Sequence, residues 1–143
     1  MSVTLAKRIW QLRTVAAALL LPPLLSITSF ERLATRLSRT GPAGPTPVPE
    51  DGSLAWWVDV VLRRLPPPWR HTCLKRAIVL YYLLRRAGRP VSLSIGVRRD
   101  ASGEFAAHAW LVRDGEPYLE PAPAQPAAFR VIATFPEPRP ATR

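Results

Sequence analysis

The chain predicts an α+β fold, with helices first and an antiparallel sheet after them. Three observations carry that reading. Up to Gly88 the apolar residues recur at a spacing near 3.6, from Val91 onward they alternate with a period of two, and short turn-forming loops join the later apolar segments. An apolar share of 48% and a charged share of 21% supply both a core and a solvated surface, over 143 residues that suit one domain with an extension.

Residues 3–37 read as helical, with Leu5, Ile9, Leu12, Val15, Ala16, Leu19 and Leu20 on the helical spacing and Lys7, Arg8 and Arg13 among them. Pro22 and Pro23 are expected to end or kink this helix, because proline removes an amide donor and clashes with the preceding turn. The apolar stretch 15–25 is then too short for a membrane span, which needs about 20 residues, so no transmembrane segment is expected. The basic start resembles a secretory signal, but the proline pair interrupts the apolar stretch and no small-x-small cleavage site follows it cleanly. A second amphipathic piece at 30–37 sets Leu33 and Leu37 opposite Arg32, Arg36 and Arg39. These helices have three candidate neighbours: a membrane surface, a partner, or the body of the protein itself.

Residues 41–52 hold Pro42, Pro45, Pro47 and Pro49, which sustain neither a helix nor a central strand, and read as a linker. The expected organisation is a helical segment at 1–40, the linker at 41–52 and a catalytic domain at 53–143. In that domain 54–65 is helical, with Trp56, Trp57, Val60 and Val61 apolar, and is stopped by Pro66, Pro67 and Pro68. Thr72 caps the next helix. Its apolar face is Cys73, Leu74, Ala77, Ile78, Leu80, Tyr81 and Leu84, and Gly88 ends it. Strands follow at 91–97, at 105–112 beyond a turn at 100–103, and at 116–120 across a tight loop of Arg113, Asp114 and Gly115. The remaining 121–143 contain six prolines and one strand candidate at 129–135.

A net charge of +10, nearly all of its cations Arg, points to anionic partners. The cations are scattered in pairs with no long run and no repeated aromatic interleaving, so specific nucleic-acid binding is not expected. One cysteine, Cys73, and two histidines exclude an intramolecular disulfide and a structural zinc site, and place the chain most simply in a reducing cytoplasm. No metal and no cofactor is expected.

Cys73 opens a helix, His108 lies in the second strand and Glu120 in the third. That order has chemical meaning. A thiol must lose its proton to become a nucleophile, and a helix N-terminus and a nearby imidazolium both stabilise a thiolate. A histidine then serves as base and acid, and a carboxylate orients its ring. Whether Glu120 reaches His108 depends on the hairpin. A two-residue type I′ turn at Asp114 and Gly115 sets Ala109 opposite Glu120, while a three-residue loop with Gly115 left-handed sets His108 there; glycine in third position suits the latter without deciding it. Asp114 belongs to the loop tip. The plainer reading of each residue is a core cysteine, a satisfied strand histidine and a solvated strand end. His71 sits before the helix and reads as a loop or capping residue.

The helix start Cys73-Leu74-Lys75-Arg76, the stop at Gly88, the strand closing on Gly96-Val97 and the following His108-Ala109-Trp110 together resemble the leader peptidases of lasso peptide biosynthesis, which are transglutaminase-like cysteine proteases. The match covers roughly residues 54–120, and the N-terminal helices resemble what precedes the core in that family. The resemblance implies a papain-like, transglutaminase-like core with a helical N-terminal extension, in which Cys73 attacks the bond between leader and core peptide and His108 is base and acid. The third member is usually Asp about a dozen residues past the His, and here that position is Glu120. The family also implies a precursor peptide as substrate and a separate leader-recognition protein, since no recognition domain precedes the core. The ATP-dependent macrolactam-forming cyclase is a further candidate partner. The backbone amide of Cys73 is the natural oxyanion donor, with Trp69 Nε1 a weaker candidate. Two rival functions are another acyl transfer on the same fold, by transamidation or amide hydrolysis, and a non-catalytic basic binding module in which Cys73 is core packing.

Overall fold

In a computed structural model describing residues 2–66, 72–121 and 126–136, helices come first and an antiparallel sheet follows, as the pattern of spacings predicts. The helices are α1 (Val3–Ile27), α2 (Phe30–Ser38), α3 (Asp51–Arg64) and α4 (Cys73–Arg86), and the strands β1 (Ser92–Arg99), β2 (Phe105–Arg113), β3 (Glu116–Tyr118) and β4 (Arg130–Phe135). The four strands form one sheet in the order β3-β2-β1-β4. Every pairing in it is antiparallel.

The proline pair does not break the first helix. α1 runs through Pro22 and Pro23 and ends at Thr28, whose backbone is extended at φ −141° and ψ 161°. Proline's fixed φ is itself helical. The turns on either side of the pair are held by Ala17, Ala18, Leu21, Leu24 and Leu25 packing into the core. The break comes where Ser29 caps α2, its hydroxyl accepting from the Arg32 amide at 3.1 Å. The expectation of an apolar stretch too short for a membrane is corrected with it. At 25 residues α1 is long and apolar enough to cross one, a test that core helices and signal sequences also pass.

One hydrophobic core draws on all the helices and on the sheet. Trp10, Ala17, Ala18 and Leu21 of α1, Leu33 and Leu37 of α2, Leu54, Val58 and Leu62 of α3, and Ile78, Leu80 and Tyr81 of α4 join Leu93, Ala109, Leu111 and Phe135. Residues in the Pro-rich stretch lie along the end of α4, where the Ala43 amide donates to the Arg86 carbonyl at 2.8 Å and the Arg86 guanidinium donates to the Gly41 carbonyl at 3.1 Å. α3 begins at Asp51, before the expected start of the helical spacing at 54, because Glu50 is still extended and the first turn needs no apolar residue. α4 starts and stops as expected. Thr72 Oγ1 accepts from the Lys75 amide at 3.2 Å, and Gly88, at φ 79°, carries the chain out of the helix.

Candidate active site

The site is built where β2, the chain beyond β3 and the first turn of α4 come together. Alternation along β2 sends Ala109 and Leu111 into the core. His108 and Trp110 therefore take the other face, and their rings stack at 5.6 Å between centroids. Phe129 closes on the same imidazole at 5.4 Å. Gly96 is the cross-strand partner of His108, and a Cβ there would lie 2.8 Å from both Phe129 Cβ and Trp110 Cη2. Only glycine lets the two aromatic rings meet beside the histidine.

His108 Nε2 lies 2.9 Å from Glu120 Oε2, with both side chains largely buried. That contact is reached by a route that the hairpin alone does not provide. Asp114 at φ 52° and Gly115 at φ 80° form the two-residue I′-type turn, with Arg113 paired to Glu116 and Leu111 to Tyr118. The three-residue loop, which the glycine in third position suited, is not formed. Continued regularly, this ladder would set Glu120 opposite Ala109 and away from His108. The strand instead stops at Tyr118, short of the expected end at 120, and Leu119 takes a left-handed conformation at φ 57°. One left-handed residue breaks the alternation and delivers the Glu120 carboxylate to the imidazole. For a residue with a Cβ that conformation costs about 1–2 kcal/mol, so something must hold it.

Arg76 does so. Its side chain is buried, donating from one Nη to the Leu119 carbonyl at 2.7 Å and from Nε to Asp59 Oδ1 at 2.8 Å. Arg76 stands one turn after Cys73 on α4, its own amide bonded to the Thr72 carbonyl at 2.9 Å. The first turn of the cysteine helix is thereby tied to the residue that aims Glu120. Cys73 itself is a free, half-buried thiol at the first helical position, where backbone amides lack helical acceptors. Glu120 occupies Nε2 of His108, so Nδ1 is the ring nitrogen left for a proton transfer. Among the described residues no three His, Cys, Asp or Glu side chains converge on a metal-sized site.

The model of one family, described as the transglutaminase-like superfamily, matches residues 12–134. The chain belongs to that superfamily. No curated protein and no solved structure gives a match. The superfamily match runs from Leu12 within α1 through the cysteine helix and the sheet as far as Thr134 of β4. Its members are typically cysteine peptidases and transglutaminases, enzymes whose chemistry is acyl transfer through a thiol.

Within this transglutaminase-like fold the hydrogen-bonded pair of sequence-predicted residues is His108 and Glu120; among the described residues Cys73 makes no hydrogen bond to either, and it stands one turn before Arg76, which bonds the Leu119 carbonyl. Trp69 and His71 lie outside the described residues. Sequence reasoning named Arg76 and Gly96 as parts of the resemblance but missed their roles here, and it missed the roles of Leu119 and Phe129 altogether. Arg76 carried a signal, since a charged residue one turn from the cysteine, on the side that turns inward, must find partners when buried. Leu119 carried none, because leucine has no preference for the left-handed region.

Proposed function

We propose that this chain is a cysteine endopeptidase that removes the leader from a lasso peptide precursor, with Cys73 as nucleophile, His108 as base and acid, and Glu120 as the group that orients the ring. The carrying observation is the His108–Glu120 hydrogen bond, held beside the first turn of the helix that Cys73 opens. The superfamily match supports acyl transfer through a thiol, and the resemblance of the Cys73 and His108 segments to lasso leader peptidases supports the substrate assignment.

In this reading His108 accepts the Cys73 proton, and the thiolate adds to the carbonyl carbon joining leader and core. The oxyanion forms near the Cys73 amide, a donor at a helix start. Collapse of the adduct breaks the carbon–nitrogen bond, and the imidazolium gives its proton to the departing amine of the core peptide. Water then attacks the leader thioester, losing a proton to His108, and the thiol is regenerated. Glu120 keeps the ring aligned through both transfers and stabilises its charged form. The leader is presented by a separate recognition protein, and the ATP-dependent cyclase receives the released core.

The test is cleavage of the precursor followed by mass spectrometry, with the recognition protein present. Cys73→Ala and His108→Ala are expected to abolish cleavage without unfolding the chain, and substantial residual activity in either overturns the assignment. Glu120→Gln is expected to slow cleavage less than either. Products heavier by one water identify hydrolysis, whereas incorporation of an added amine identifies transamidation. Cys73 is also the single thiol, so its alkylation reports the pairing directly. Iodoacetamide is expected to modify it more slowly in His108→Ala than in the parent.

A further inference from the structure

Helix α1 is apolar on both sides. Its inner side, with Ala6, Trp10, Ala17, Ala18 and Leu21, is buried against the rest of the fold. On its outer side Leu5, Val15, Leu12 at 69% exposure, Leu20 at 66% and Ile27 at 80% face out. A helix apolar all round calls for cover on both sides, and an exposed aliphatic stripe along about 37 Å of helix is more than scattered surface leucines require.

The chemistry around the stripe selects what covers it. α1 carries not one acidic residue, and of its cations Arg8 is exposed on the side of the stripe, whereas Lys7 lines a groove with Val48 and Trp57 and the Arg13 guanidinium lies over the Trp10 ring at 4.8 Å. At its far end Leu24 and Ile27 share an open groove with Arg32, Arg36 and Arg39 of the α2 segment, where Glu31 is the acidic member. The chain as a whole carries +10. Specific protein partners are anchored chiefly by buried aromatic residues, and the outward stripe has no Trp or Tyr. A second copy would bring the same positive charge to the contact. An anionic bilayer asks only for an aliphatic face with cations beside it, which α1 and the α2 corner supply.

We propose that α1 docks lengthwise on an anionic phospholipid surface, with Leu5, Leu12, Val15, Leu20 and Ile27 at the acyl boundary and Arg8, Arg32, Arg36 and Arg39 among the phosphates. The helix lies on the membrane and does not cross it, since crossing would pull Trp10, Ala17, Ala18 and Leu21 out of the core that they share with α3 and α4. α4 packs on both α1 and the strands β1 and β2, so the docked helix meets the sheet that carries His108 through α4. The inference is independent of the catalytic assignment.

Sedimentation of the full-length protein with vesicles tests it. The protein is expected to pellet with vesicles of phosphatidylcholine mixed with phosphatidylglycerol, not with phosphatidylcholine alone, and less at high salt. The pair Leu12→Gln and Leu20→Gln should weaken binding at least about tenfold while leaving thermal unfolding unchanged, because both side chains are exposed. Should that protein fail to fold, Arg32→Gln, Arg36→Gln and Arg39→Gln together read the same surface through its cations and should also weaken binding. Failure to pellet with the mixed vesicles overturns the proposal. So does undiminished binding by the folded leucine variant. A dimer seen by light scattering that the leucine pair dissociates, with vesicle binding absent, assigns the stripe to a second copy and equally overturns it.

Discussion

At the scale of single residues, the candidate site depends on one strained backbone position and the arginine that holds it. Leu119 is left-handed at φ 57°, and Arg76, at 6% exposure, bonds its carbonyl. Replacing Arg76 by Met leaves that carbonyl without its charged donor and removes the ion pair to Asp59, which is expected to cost about 3 kcal/mol by urea denaturation. Cleavage should slow as well, and the slowing should largely vanish when Arg76→Met is made in a Glu120→Gln background, because residues acting in series do not add. Equal slowing in both backgrounds would mean that Arg76 acts on stability alone. Gly96 is the second such position. An alanine Cβ 2.8 Å from Phe129 and Trp110 must push the rings that flank His108, so Gly96→Ala should cost about 1–3 kcal/mol by thermal unfolding and lower the cleavage rate.

At the scale of elements, α4 presents Cys73 because Thr72 caps it. Thr72→Ala removes the hydroxyl that accepts from the Lys75 amide and is expected to cost about 1 kcal/mol in equilibrium unfolding, with Thr72→Ser close to the parent. The start and end of this helix were legible from Thr72 and Gly88, since capping is local chemistry. The strands were legible from alternation within a few residues. The hairpin and the first helix were less so. Two turn geometries fit Arg113, Asp114 and Gly115, and the choice between them reversed the face on which a regular third strand would set Glu120. The proline pair was read through its local penalty, whereas the buried residues on both sides of it decided that α1 continues.

At the scale of the whole molecule, Asp51 joins segments far apart in sequence. Its carboxylate accepts from Arg89 Nε at 2.8 Å, from Arg113 at 3.3 Å and from the Tyr118 hydroxyl, linking the start of α3 to the exit of α4 and the hairpin that leads to Glu120. Asp51→Ala removes all three bonds and is expected to cost about 2–3 kcal/mol by denaturant titration. The tyrosines give this assembly a pH limit. Burial, reinforced by the bond to the Asp51 carboxylate, pushes the Tyr118 hydroxyl above its ordinary value of 10.0. Burial likewise pushes Tyr81 up, although the Ser38 bond and the Arg85 charge oppose it. Both groups favour the neutral form in the folded chain, so their contribution is fully present below the unfolded value near 10 and is lost as pH rises through the raised folded values. Unfolding free energy should therefore fall above about pH 10, and more gently in Tyr81→Phe.

The sequence by itself determined the α+β order, the helix opening at Cys73 and the strand carrying His108, and it offered Glu120 as a carboxylate without deciding which way that side chain faces. Each of these rests on spacing, capping or residue chemistry, which act over one or two turns. The tertiary structure alone decided that α1 runs unbroken and leaves an aliphatic face outward. It alone decided that Glu120 reaches His108 through a left-handed Leu119, and that Arg76 holds this arrangement beside the cysteine helix. Those outcomes depend on which distant groups share a buried volume, and a leucine forced left-handed by an arginine 43 residues earlier leaves no mark in local pattern.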